Sequence, residues 1–142
     1  MRQLLDLDEC FEKGYLQKSP YAETLVRESM EKADDLLAQA KNNFENGSFD
    51  SALVMAYSAA FNAARAILFR DGFREKSHEC VIRYLEKKHS GIPGELIALL
   101  DKYRTSRHGV LYDVRYSATK VEAEESLEFA EKFIKEIEKI VK

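Results

Sequence analysis

The sequence predicts an all-α fold: an antiparallel bundle of four main helices with an extra short helix. Three observations predict it. Apolar residues recur at three- and four-residue spacing over long stretches. Both prolines, Pro20 and Pro93, fall at helix starts, where a missing N–H is harmless. Period-two alternation is scarce, so nothing in the chain reads as a strand. The length of 142 residues suits one domain spanning 1–142, with 1–19 as a leading segment.

Residues 3 to 16 carry Leu4, Leu5, Leu7, Phe11 and Leu16 and predict a short leading helix over the bundle mouth. Gly14 and the Ser19-Pro20 pair punctuate it. Ser19 is then placed to cap helix A, about 20 to 45, whose stripe includes Leu25, Ala33, Leu36, Ala40 and Phe44. Asn46-Gly47-Ser48 ends it, with Gly47 suited to the left-handed position after a helix. Asp50 is read as the cap of helix B, about 51 to 70, an alanine-rich stretch built on Leu53, Tyr57, Ala60, Phe61, Ala64 and Ile67. Asp71-Gly72 stops it. Ser77 caps helix C, about 78 to 88. The break at 89–92 precedes helix D, about 93 to 111, whose apolar sector holds one odd member, Arg107. Residues 112 to 118 read as a loop. Thr119 and Glu122 form a capping box for helix E, which runs to about 140. Phe129 and Phe133 widen its face enough to reach a partner subunit. Leu36, Ala60, Phe61, Leu100, Leu127 and Ile134 are expected in the core.

Composition narrows the function classes. Cys10 and Cys80 lack metal or redox spacing, and they are expected as free thiols in a reducing cytosol. No run approaches about 18 apolar residues, so no membrane span is expected and the chain is read as cytoplasmic. The 22 basic and 25 acidic side chains give a net charge of -3, which argues against a general nucleic-acid coat. Residues 101–120 differ: Lys102, Arg104, Arg107, Arg115 and Lys120 face only Asp101 and Asp113. That local excess suits a phosphate-facing site, and it equally suits a solvated helix end.

There is no P-loop, Rossmann glycine pattern, HExxH or CxxC, and no pair of ExxH motifs. His78, His89 and His108 are scattered. No metal and no cofactor are expected. The densest polar cluster is Tyr103, Arg104, Arg107, His108, Tyr112, Asp113, Arg115 and Tyr116. Arg offers a bidentate fork to phosphate. His108 is a residue type that moves protons near neutral pH. Tyr112 donates a hydrogen bond readily but is a poor base. Arg107 has a second reading as half of a structural ion pair, His108 one as a plain exposed residue, and Asp113 one as a turn cap. Arg104, Arg107 and Arg115 are the candidate phosphate-binding or nucleotide-binding residues; Arg107, His108 and Tyr112 are the catalytic candidates if the protein is an enzyme. His108 and Tyr112 share a helix face. Arg107 and Tyr112 meet only across a distorted helix end or a second subunit.

Two stretches carry a family resemblance. One is Ser51-Ala52-Leu53-Val54-Met55-Ala56-Tyr57-Ser58-Ala59-Ala60-Phe61-Asn62-Ala63-Ala64-Arg65-Ala66-Ile67-Leu68. The other is Arg107-His108-Gly109-Val110-Leu111-Tyr112-Asp113, followed by a helix containing Ala130-Glu131-Lys132-Phe133-Ile134. Over about residues 20 to 140 the chain resembles HEPN domain proteins, the small stand-alone prokaryotic ones encoded beside nucleotidyltransferases. The resemblance implies a bundle of four main helices, a homodimer and a toxin–antitoxin setting. It also implies a metal-independent ribonuclease site composed from both subunits. The family's hallmark Arg matches Arg107, with His108 as the polar residue after it. Tyr112 stands at the hallmark His position, so the pattern here is Arg-x4-Tyr. Two functions follow from the resemblance. One is a partner module for a nucleotidyltransferase that binds RNA or nucleotide. The other is an endoribonuclease with Arg107, His108 and Tyr112 at a dimer cleft, where His108 serves as proton carrier. A general helical adaptor is a third reading.

Overall fold

The structure is a computed structural model that describes residues 5–141. Residues 3 and 4, part of the expected leading helix, lie outside the described residues. The order is α1 (Leu7–Glu12), β1 (Leu16–Lys18), a 3-10 turn (Ala22–Leu25), α2 (Val26–Glu45), α3 (Phe49–Arg70), β2 (Phe73–Glu75), α4 (His78–Lys88), α5 (Gly94–Tyr112) and α6 (Lys120–Val141). The protein is therefore all-α in its architecture, with four long helices and two short ones among the described residues.

α3 is the axis of the bundle. It packs against α2, α5 and α6, and it also meets α4 and β2. Its alanines allow that close approach on several sides at once. Ala52, Ala56, Ala59, Ala60, Ala63, Ala64 and Ala66 are all fully buried. A helix enclosed by neighbours is apolar nearly all round. α3 is thus long and apolar enough to cross a membrane by length and composition, with most of that stretch buried in the bundle. Polar residues such as Ser58, Asn62 and Arg65 interrupt it, so it holds no unbroken run of about 18 apolar residues, as expected. Leu36, Ala60, Phe61, Leu100, Leu127 and Ile134 are buried as expected.

The α2–α3 turn closes as a Schellman motif. Gly47 takes a φ of 78°, its N–H donates to the Phe44 carbonyl at 3.0 Å, and the Ser48 N–H donates to the Asn43 carbonyl at 2.8 Å. Ser77 caps α4 through the Cys80 N–H at 3.2 Å. Thr119 and Glu122 form the capping box of α6, at 3.1 and 3.2 Å.

Several expectations need correction. α2 starts later than helix A: the chain first makes a 3-10 turn, with Tyr21 rather than Ser19 before it. α3 begins at Phe49, so Asp50 is inside the helix and caps nothing there. Its carboxylate instead accepts the Ala118 N–H at 2.6 Å, tying the loop before α6 to the start of α3. Phe129 is buried against Tyr103, and Phe133 is buried against Phe129, so neither is free to reach a partner.

The leading segment departs furthest from expectation. α1 is only 6 residues long, held by a capping box between Asp6 and Glu9. β1 and β2 pair antiparallel, with Leu16 opposite Glu75, although neither reads as a strand. Three residues are too few to show a period, and pairing is set by what lies alongside. Cys10 and Cys80 form a disulfide across a separation of 70 residues, which replaces the two free thiols. The bridge leaves neither cysteine as a free thiol, so the two no longer point to a reducing cytosol.

Candidate functional site

α5 runs unbroken from Gly94 to Tyr112, so Arg104, Arg107 and His108 lie within little more than one turn. α5 packs against α4, and this face meets the first turn of α4. Between them is a cleft of about 390 Å³ lined by Ser77, His78, Glu79, Arg104, Thr105, Arg107 and His108. Ser77 places that first turn by capping it, and the N-terminal end of a helix adds a partial positive charge.

The two guanidinium groups of the cleft differ. Arg104 meets Asp101 Oδ1 through Nε and Nη2, both at 2.9 Å. Asp101 also pairs with Arg83 at 3.2 Å. Arg107 is half-buried and has no carboxylate within ion-pair distance among the described residues. Its Cζ lies 6.0 Å from the centre of the Tyr57 ring. A guanidinium cannot shed its charge, so this one is left to water or to an incoming anion. Asp113 does not hold it: its carboxylate accepts the Arg115 N–H at 2.9 Å and caps the turn after α5.

His78, one of three histidines scattered in the sequence, is held in the cleft by a ring stack and a hydrogen bond. Its ring stacks on Phe61 with centroids 3.8 Å apart and planes 7° apart. Its Nδ1 is 2.8 Å from the hydroxyl of buried Tyr57. Burial first, then the charges of Arg107, Arg104 and Arg65, pushes the imidazole down from 6.5 to about 4. It is neutral at pH 7. Burial pushes the Tyr57 hydroxyl up, so it remains a phenol.

The other predicted residues lie outside this cleft. The His108 and Tyr112 rings are 4.7 Å apart, as one helix face requires, but Tyr112 is 69% exposed and does not line it. Arg115 is exposed on the following loop and is not among the lining residues. That loop is fastened by Tyr116, whose hydroxyl donates to Glu122 at 2.6 Å. The Tyr116 ring also packs over Gly109, where an added Cβ would meet it at 3.5 Å. Among the described residues, no group of three His, Cys, Asp or Glu side chains is placed to hold a metal.

Ser77, His78 and Tyr57 were missed as site residues. Ser77 was legible as a cap, and the cap puts His78 in the first turn of α4. The approach of that turn to Arg104 and Arg107 is a tertiary event, about 26 residues apart in sequence, with no local signal.

The family model described as HEPN domain matches residues 26–140 of the chain. No curated protein matches it.

Proposed function

The chain belongs to the HEPN domain family, and on that premise we propose that it is a HEPN module that binds the phosphate groups of a nucleotide or RNA between α4 and α5. The observation that carries this reading is Arg107: a half-buried cation without a carboxylate partner among the described residues, beside Arg104 and His78 in one cleft. Cleft size also supports it, since sites of roughly 300–1,000 Å³ hold small ligands. A homodimer belongs to the reading. Leu111, Tyr112, Val114 and Val121 are exposed, and Tyr112 lies against His108, where a second copy would complete the site. A nucleotidyltransferase is the proposed protein partner, on family grounds.

Endoribonuclease activity is the second reading, and the contact between the His108 and Tyr112 rings favours it. His108 then carries the proton, Arg107 holds the phosphate and Tyr112 positions it. Calorimetric titration of nucleotides and short RNA into wild type and R107A tests binding. Affinity should fall at least about tenfold in R107A and fall in both with added salt. Equal affinities would remove Arg107 from any phosphate site. If cleavage occurs, H108A should abolish it while sparing most binding, and Y112F should have the smaller effect.

A further inference from the structure

The Tyr57–His78 pair has a consequence for what the cleft prefers. We propose that Tyr57 fixes His78 as an uncharged N–H donor in the floor of the cleft, which makes the site one for a singly charged phosphodiester rather than a doubly charged terminal phosphate. This rests on the phosphate-binding reading above and adds the ligand's charge class to it.

The first step is the tautomer. The hydroxyl of Tyr57 is buried, and its one hydrogen bond among the described residues is to His78 Nδ1, at 2.8 Å. A buried O–H without an acceptor is costly, so the proton of the phenol is directed to Nδ1. With Nδ1 accepting, a neutral imidazole carries its proton on Nε2. Adding a second proton would place N–H and O–H head to head at Tyr57 and Nδ1. The stack on Phe61 and the charges of Arg65, Arg104 and Arg107 oppose it too. Nε2 has no hydrogen-bond partner among the described residues, yet it is not sealed from solvent. The ring lines the cleft, so Nε2–H is the donor His78 presents there.

The second step is the charge. Asp101 compensates Arg104 through two contacts at 2.9 Å. Arg107 contributes one uncompensated positive charge. Glu79 also lines the cleft, but it is nearly buried and its carboxylate is engaged, accepting the Leu5 N–H at 3.0 Å. His78 adds a hydrogen bond and no charge. One guanidinium fork and one neutral donor match a monoanion. A dianion would bring a second charge for which the cleft holds no further uncompensated cation.

The test uses two probes at pH 7.5 and fixed salt: a dinucleoside monophosphate, whose one diester carries a single charge, and a nucleoside monophosphate. Wild type should bind the dinucleotide more tightly. His78→Phe keeps a ring on Phe61 and removes the donor, and it should weaken the dinucleotide by about fivefold, the loss of one hydrogen bond. Proton–nitrogen correlation spectra of wild type should show His78 neutral with its proton on Nε2. Tyr57→Phe, a change at a positioning residue, should turn that signal into a mixture of both tautomers. A charged ring, a proton on Nδ1, or equal or tighter binding of the monophosphate would overturn the proposal while leaving the cleft a phosphate site. If wild type and R107A are indistinguishable, or neither probe binds, the phosphate reading fails and this proposal fails with it. Should His78→Phe not fold, the wild-type spectrum and the ratio of the two affinities decide.

Discussion

Arg107 and His78 give the cleft its character, one as a fixed charge and the other as a neutral ring. Arg107 is conspicuous because a cation interrupts an apolar sector of α5, and the structure leaves it without a carboxylate partner among the described residues. His78 is inconspicuous because its partners come from α3 and α5. Its depressed basicity has a measurable sign. In the unfolded chain it binds a proton near pH 6.5, and in the folded protein only near about 4. Between those values the unfolded state holds more protons, so stability should fall as pH drops from 6.5 to about 4, by on the order of 2 kcal/mol. Urea unfolding at pH 7.5 and 4.5 measures this, and His78→Gln should flatten that part of the profile. At the far end of α3, Asp71 accepts from the Tyr84 hydroxyl at 2.7 Å and pairs with His89 at 2.7 Å. Burial pushes its carboxyl up, but those two hydrogen bonds and the charges of His89 and Arg70 outweigh burial and hold it below 3.8. Its contribution is present above that value and is lost as pH falls through the lower, folded one. Asp71→Asn should cost about 1–3 kcal/mol at pH 7, read by chemical denaturation, by weakening the contacts to Tyr84 and His89.

Among the elements, those with a long period or a specific cap were legible. The stripes of α2, α3, α5 and α6, the Ser77 cap, the Thr119–Glu122 box and the left-handed Gly47 all rest on interactions local in sequence. The misread elements are those whose partners are distant. β1 and β2 exist because residues 16–18 and 73–75 lie side by side. Asp50 had the right chemistry for a cap, but Ala118 takes its carboxylate from 68 residues away. The bridge between Cys10 and Cys80 is likewise set by the docking of α1 on α4. Because it closes a 70-residue separation, Cys10→Ser should cost about 2–4 kcal/mol, an effect that reduction of wild type should reproduce. Coincident unfolding curves for oxidised wild type and Cys10→Ser would mean the bridge does not constrain the chain.

At the scale of the whole molecule, the all-α class followed from the apolar periodicity, and the family match over residues 26–140 follows the same helices. The site was only partly legible: Arg104, Arg107 and His108 meet in one cleft, while Arg115 and Tyr112 lie beyond it. Burial of Phe129 and Phe133 moves the expected dimer contact toward Leu111, Val114 and Val121. Sedimentation at micromolar concentration should report a dimer, with at least about 1,000 Å² buried in all. Val114→Glu should shift it toward monomer, since Val114 is fully exposed in the single chain and its change leaves the bundle intact. The central claim is that the cleft between α4 and α5 takes phosphate. The direct test is a nitrogen-15 amide map of the protein as a short RNA is added. The account predicts shifts concentrated at Ser77, His78, Thr105, Arg107 and His108 that vanish in R107A; shifts confined to another face, or none at saturating RNA, would contradict it.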